Sequence, residues 1–192
     1  MKRIFILPVL IAFIFSFSGC EKDESLDPRP LLVQGQFMRL DITRQKINID
    51  DIDNSSFGGM LTNPSNDVVK YELLVRLKRA YIAPDDLGNP AVLPFESDYV
   101  ALRTITAFPI DLSIVAQDVV DAYAAVGTTI NVIRGDEFYF IAYSYDALGN
   151  RIVFRDLSLT VRGEPAYKQA YKFNTLVTTT ANLNGEYTNY KP

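Results

Sequence analysis

Val69-Lys70-Tyr71-Glu72-Leu73-Leu74-Val75-Arg76-Leu77 alternates apolar and polar side chains with a period of two. Val69, Tyr71, Leu73, Val75 and Leu77 share one side, and Lys70, Glu72, Leu74 and Arg76 share the other. Successive strand side chains point to opposite faces of a sheet. The pattern therefore predicts a half-buried antiparallel strand, with Leu74 the one apolar residue on its wet face.

Other segments follow suit. Met38, Leu40 and Ile42 alternate with Arg39, Asp41 and Thr43. Residues 57–62 form a shorter candidate strand, closed by the turn signal Asn63-Pro64. Residues 99–108 are rich in Thr, Ile and aromatics, and read as another. Residues 138–145 and 151–161 flank Asp146-Ala147-Leu148-Gly149-Asn150 and predict a long hairpin. Residues 171–178 supply a last strand. One segment differs. Val115, Val119, Tyr123 and Val126 recur at helical spacing with Val120 beside them, and Gly127 follows where helices commonly stop in a left-handed residue. Asp118 falls in the first turn, where a negative charge complements the helix dipole. Six or seven short strands with one short crossover helix predict an all-β chain, a β-sandwich of immunoglobulin or fibronectin type III character over residues 31–180. Residues 181–192 read as a C-terminal tail. The 15-residue connection 84–98 is long enough to draw attention as functional.

The N-terminus carries a different signal. Lys2 and Arg3 precede an apolar run over 4–17, and Phe17-Ser18-Gly19-Cys20 closes it. The run is too short for a spanning helix, which needs about 20 residues. A basic start, an apolar middle and small residues before the cut describe a signal peptide over 1–19. Phe17-Ser18-Gly19-Cys20 resembles a lipobox, which implies lipidation of Cys20, the only cysteine, and attachment to outer-membrane lipid. Residues 20–30 read as the lipidated tether, with Pro28 and Pro30 favouring an extended spacer. Within it Glu21-Lys22-Asp23-Glu24 resembles the surface-export signal of Bacteroidota lipoproteins; as a charge run it also reads as a solvated tether.

Composition narrows the chemistry. Loss of Lys2 and Arg3 with the leader leaves 17 basic against 23 acidic residues, taking the formal charge from -4 to -6. An acidic chain is a poor partner for nucleic acid. Histidine is absent, which removes His-based triads and His metal ligands. With Cys20 acylated, no thiol nucleophile remains. No catalytic residue, metal site or cofactor is expected.

A family resemblance rests on residues 100–178. The order is a strand, Pro109, a short helix with Asp118, Gly135-Asp136, Phe138-Tyr139-Phe140 and a turn with Gly149. It resembles the single-domain core of accessory surface lipoproteins of Bacteroidota. Tyr167, Gln169, Ala170 and Phe173 resemble the family's closing strand. Val115 stands where the family often has a helix-capping hydroxyl. A second β domain, which relatives often begin near Gly185-Glu186-Tyr187-Thr188, is expected to be missing. The resemblance implies a location at the outer membrane facing outward. It also implies a TonB-dependent transporter and its SusD-like lipoprotein as partners.

Smaller motifs have bland explanations beside sharp ones. Asp51, Asp53 and Ser55 copy the start of a calcium loop, but Ser56 replaces its glycine and Thr62 its bidentate Glu, so an exposed acidic turn is favoured. Arg134-Gly135-Asp136 spells an adhesion tripeptide and is also a turn entering a strand. Asn54-Ser55-Ser56 is a glycosylation acceptor only in a eukaryotic secretory system. Asp85, Asp86, Glu96 and Asp98 are the only carboxylates placed for acid–base work, and a solvated loop is the favoured alternative. Phe138 and Phe140 share one strand face, while Tyr139, Tyr143 and Tyr145 share the other. The tyrosines read either as half-buried sheet cover or as a platform for a glycan, a peptide or a partner protein. Tryptophan is absent, which favours protein docking over direct glycan binding. The expected function is a non-catalytic accessory binding or docking module of a SusC/SusD-type nutrient uptake complex. The alternatives are a structural envelope component without a small ligand and an independent glycan-binding protein.

Overall fold

Alternation drives most of the architecture. A computed structural model describes residues 36–180 apart from Asp53. Cys20, Glu21, Lys22, Asp23 and Glu24, with the leader, the tether and the tail 181–192, lie outside the described residues.

The elements run in chain order as β1 (Arg39–Arg44), β2 (Lys46–Asn48), β3 (Phe57–Thr62), β4 (Lys70–Arg79), β5 (Phe95–Glu96), β6 (Val100–Ile105), β7 (Ile110–Ile114), α1 (Ala116–Ala125), β8 (Asp136–Tyr145), β9 (Arg151–Val153), α2 (Leu159–Gly163) and β10 (Lys172–Thr178). Strands β1, β3 and β7 form a small sheet. The large sheet runs β2-β10-β8-β4-β5, with β6 also on β4 and β9 also on β8. The chain is therefore all-β in class, with two sheets and few helices. The sheets share one core. Phe57 of the small sheet lies parallel to Phe140 of the large sheet at 5.6 Å between ring centroids, and Phe173 stands 5.8 Å from Phe57. Tyr71, Leu73, Val75 and Leu77 of β4 join Phe138 and Phe140 of β8 in that core. Val69 lies just outside β4 and is exposed, so the predicted strand starts one residue later.

The β4–β8 pairing is the longest in the fold. Ten consecutive antiparallel pairs run from Lys70↔Tyr145 to Arg79↔Asp136. A clamp sits at the second end. Arg79 donates to both carboxylate oxygens of Asp136, at 2.6 and 2.8 Å, and to the Asn131 carbonyl at 2.7 Å. Asp136 also accepts from the Ile133 N–H at 2.9 Å and is fully buried. Its partner raises the Arg79 pKa, chiefly through their hydrogen bond. The adhesion reading of Arg134-Gly135-Asp136 fails here, because its acidic residue is spent inside the protein.

Helix α1 connects the small sheet to the large one. Asp118 accepts from the Val115 N–H at 3.0 Å and from Arg103 at 3.2 Å, which serves the helix start in place of a side-chain cap. Thr128 N–H and Gly127 N–H return to the carbonyls of Tyr123 and Ala124, closing the helix with Gly127 at φ +79. Val119 and Tyr123 are buried as the spacing predicts; Val126 is exposed, and Ala116 and Ala122 fill the stripe instead. The Tyr123 hydroxyl accepts from Leu77 N–H at 3.1 Å and donates to the Asp98 carbonyl at 2.9 Å. It thereby pins α1 to β4 and to the end of the long connection.

Two strand expectations change. The predicted strand 99–108 stops at Ile105, and the chain switches sheets across 106–109 to begin β7. Pro109 cannot donate to a ladder, so the strand cannot run through it. The predicted return strand 151–161 is three residues long. Asp156 accepts from Val153 N–H at 3.0 Å and turns the chain into a 3-10 turn, and Ser158 caps α2, a helix the periodicity did not show. Strand β3 keeps the predicted bounds, and its Gly58-Gly59 lies against the backbones of its neighbours. A Cβ on Gly59 would sit 1.9 Å from the Asp41 carbonyl oxygen, so no side chain fits between β1 and β3 there.

Two predictions follow from the core. Breaking a buried ion pair by removing one member strands the other, at a cost of about 3 kcal/mol or more. Asp136→Ala is expected to lose that much in urea unfolding; a loss below about 1 kcal/mol removes the clamp from the account. Burial pushes Tyr171 up to about 12 and raises Tyr71 well above its usual value. A raised pKa contributes stability that is complete below the unfolded value and lost as pH rises toward the folded one. Stability should therefore fall from about pH 10 upward, and the fall should be shallower in Tyr171→Phe.

Candidate functional site

Strand alternation sends every second residue of β4 and β8 away from the core. The register then decides which of these meet. Lys70 stands opposite Tyr145, Glu72 opposite Tyr143, Leu74 opposite Ile141, Arg76 opposite Tyr139 and Lys78 opposite Glu137. On the flanks, β10 adds Lys172, Asn174 and Leu176, β9 adds Arg151 and Val153, and β2 adds Lys46. None of these side chains is fully buried. Together they make the outer face of the large sheet.

The three predicted platform tyrosines all lie on this face, and all are half-buried. The structure adds Tyr99, which follows β5 and reaches the same row. Each ring carries a cation. The Lys70 ammonium lies 3.9 Å from the Tyr145 ring centre, and the Arg151 guanidinium 5.1 Å from that of Tyr143. Arg76 lies between two rings, 5.0 Å from Tyr99 and 5.3 Å from Tyr139. The ring quadrupole attracts each charge and biases where it points, weakly where the cation is exposed.

Carboxylates complete the network. The Tyr145 hydroxyl donates to Glu72 at 2.7 Å, and Lys70 donates to the other oxygen of Glu72 at 2.9 Å. Tyr139 donates to Glu137 at 2.6 Å, and Arg76 pairs with Glu96. These contacts move the titrations. The Tyr145 hydrogen bond, then that of Lys70, lowers Glu72. The Glu137 carboxylate raises Tyr139. Burial, followed by the Glu72 hydrogen bond, raises Tyr145, and burial raises Tyr99. The face thus combines a half-buried strip of Tyr139, Ile141, Tyr143 and Leu74 with oriented cations around it. Such a surface presents apolar and aromatic area beside positive charge.

The carboxylates once considered for acid–base work do not gather. Asp85 accepts from Leu87 N–H and Asn89 N–H, each at 3.0 Å, and from the Asn89 amide at 2.6 Å. Asp146 does the same with Leu148, at 2.9 Å, and Asn150, at 2.8 Å to each nitrogen. Asp85-Asp86-Leu87-Gly88-Asn89 and Asp146-Ala147-Leu148-Gly149-Asn150 are one loop used twice. The two aspartates are loop pins, and the Asn hydrogen bond lowers both. Glu96 is held by Arg76 on the outer face. In the acidic turn, Asp51 accepts from the Asn54 amide at 2.7 Å, and the Ser55 hydroxyl accepts from Asn48 N–H at 2.6 Å. Among the described residues no cluster of three metal-binding side chains occurs, and no helix is long and apolar enough to cross a membrane.

Sequence reasoning located the tyrosines but missed Tyr99, Arg76, Arg151 and Lys172 as their company. Only the alternation of β4 hinted at Arg76. No protein-family model, curated protein or solved structure matches the chain.

The Glu72–Tyr145 bond gives a direct test. Glu72→Gln removes the negative acceptor, so Tyr145 should ionise at lower pH than in the parent, read by NMR of its ring signals. In the parent, Glu72 has a depressed pKa, so its contribution to stability is present above the ordinary carboxylate value and lost as pH falls through the lowered one. An unchanged Tyr145 titration in Glu72→Gln contradicts the network.

Proposed function

We propose that this protein is a non-catalytic, lipid-anchored binding module at the outer membrane, facing outward. It acts as an accessory of a SusC/SusD-type uptake complex, docking on or near the transporter and helping to capture its substrate. The finer fold we assign with it is an immunoglobulin or fibronectin type III-like sandwich. The observation that carries the proposal is the outer face of the large sheet, where Tyr99, Tyr139, Tyr143 and Tyr145 stand half-buried with cations against their rings among the described residues. A face with only a structural task would be more plainly polar. The leader and Cys20 in Phe17-Ser18-Gly19-Cys20 support the anchor. Outward location is supported by Glu21-Lys22-Asp23-Glu24.

Two measurements test it. Labelled palmitate should enter the parent chain and not Cys20→Ser, and the variant should leave the membrane fraction. Detergent extracts should yield the parent together with a TonB-dependent transporter. Recovery alone or as a homopolymer favours a structural envelope component and ends the accessory role.

A further inference from the structure

Charge is unevenly spread on this molecule. The chain as a whole is acidic, with a formal charge of -4. The outer face of the large sheet has the opposite sign. It carries Lys46, Lys70, Arg76, Lys78, Arg151 and Lys172 against Glu72, Glu96 and Glu137. All three carboxylates are engaged within the face: Glu72 by Lys70 and Tyr145, Glu96 by Arg76, and Glu137 by Tyr139. Lys46, Lys78, Arg151 and Lys172 are exposed, and none makes a salt bridge among the described residues.

We infer that this face binds a carboxylated polysaccharide, a linear glycan bearing uronate-type groups; the missing tryptophan argues against a neutral glycan held by stacking alone, and the charge of the face is what favours an acidic one. The inference rests on the proposed role as a binding module and names the substrate class of the same site. Arg151 is the clearest docking point. Its guanidinium lies against the Tyr143 ring, and it forms no salt bridge among the described residues, although its charge helps to lower the Glu72 pKa. A guanidinium fork binds a carboxylate bidentately, and its contact with the Tyr143 ring already favours an orientation along the face. The half-buried strip of Tyr143, Ile141 and Tyr139 offers apolar and aromatic surface to the C–H faces of sugar rings. Asn174 and the tyrosine hydroxyls supply polar partners for hydroxyl groups.

One other polyanion fits less well. An acidic peptide gains affinity on sheets by adding main-chain hydrogen bonds at an open edge. Here β4 and β8 are central strands whose ladder partners are in place, so a peptide across the face finds none.

The test uses the full lipidated chain in neutral detergent. Polygalacturonate is the probe; dextran, polyglutamate and anionic phospholipid vesicles are the comparisons. Polygalacturonate should retard the protein in affinity electrophoresis, and the effect should fade at about 0.5 M salt, where the screening length falls to a few ångströms. The double variant Arg151→Glu, Lys172→Glu changes only exposed side chains and should keep the parent circular dichroism. It should bind polygalacturonate at least about tenfold more weakly, as expected for the loss of one charge-assisted contact or more. Tyr143→Ala should weaken it as well. The inference is overturned by absent retardation, by equal binding of dextran, polyglutamate or vesicles, or by an unaffected double variant. Copurification with a transporter but no response to polygalacturonate sinks this inference alone; the converse result sinks the transporter role and leaves the glycan site.

Discussion

The fold depends on one ladder. Strands β4 and β8 match over ten consecutive residues, from Lys70↔Tyr145 to Arg79↔Asp136. A slip of one residue would turn Phe138, Phe140 and Leu77 to solvent and bring Tyr139 and Arg76 into the core. Two devices oppose that slip. The buried Arg79–Asp136 pair works at one end only when those two residues are opposite each other, and a displaced register would leave Asp136 charged and unpaired in the interior. The Phe57–Phe140–Phe173 cluster fixes the middle, because its rings bring both sheets to one point.

The same ladder composes the outer face. Once register is set, Lys70 must meet Tyr145 and Arg76 must meet Tyr139, because opposite residues in an antiparallel pair share a side. Site and core are thus the two sides of one pairing. The β10–β8 and β9–β8 pairings bring in Lys172 and Arg151 by the same rule. The middle of the face therefore sits on the central strands β4 and β8, while Tyr99, Lys46 and Arg151 reach it from its margins.

Much of this was legible in the sequence, and the residues show why. The alternation in β4 and β8 separates the Phe face from the Tyr face without any structure. Gly127 and Asp118 mark the two ends of α1 by local chemistry alone. What stayed hidden depends on pairing between distant segments. Tyr99 and Arg76 are 23 residues apart and join only because β6 pairs with β4. Arg79 and Asp136 are separated by 57 residues, and the tripeptide reading of Asp136 gave no sign of burial. The β9 strand was overread because Arg151, Ile152, Val153 and Phe154 have strand-like composition. Asp156 and Ser158 redirect the chain through hydrogen bonds that periodicity does not register.

The sign of the outer face also bears on why it exists. An acidic protein that needed only solubility would interleave its charges, since like charges on one face repel and lower stability. Here three carboxylates are engaged by tyrosines and by Lys70 and Arg76, while Lys46, Lys78, Arg151 and Lys172 make no salt bridge among the described residues. The arrangement leaves a net positive rim round an aromatic strip. Exposed cations gain little from contacts with half-buried rings, so stability alone does not account for placing them there. A partner that brings its own negative charge would do so, because it relieves the repulsion and desolvates the rings in one step.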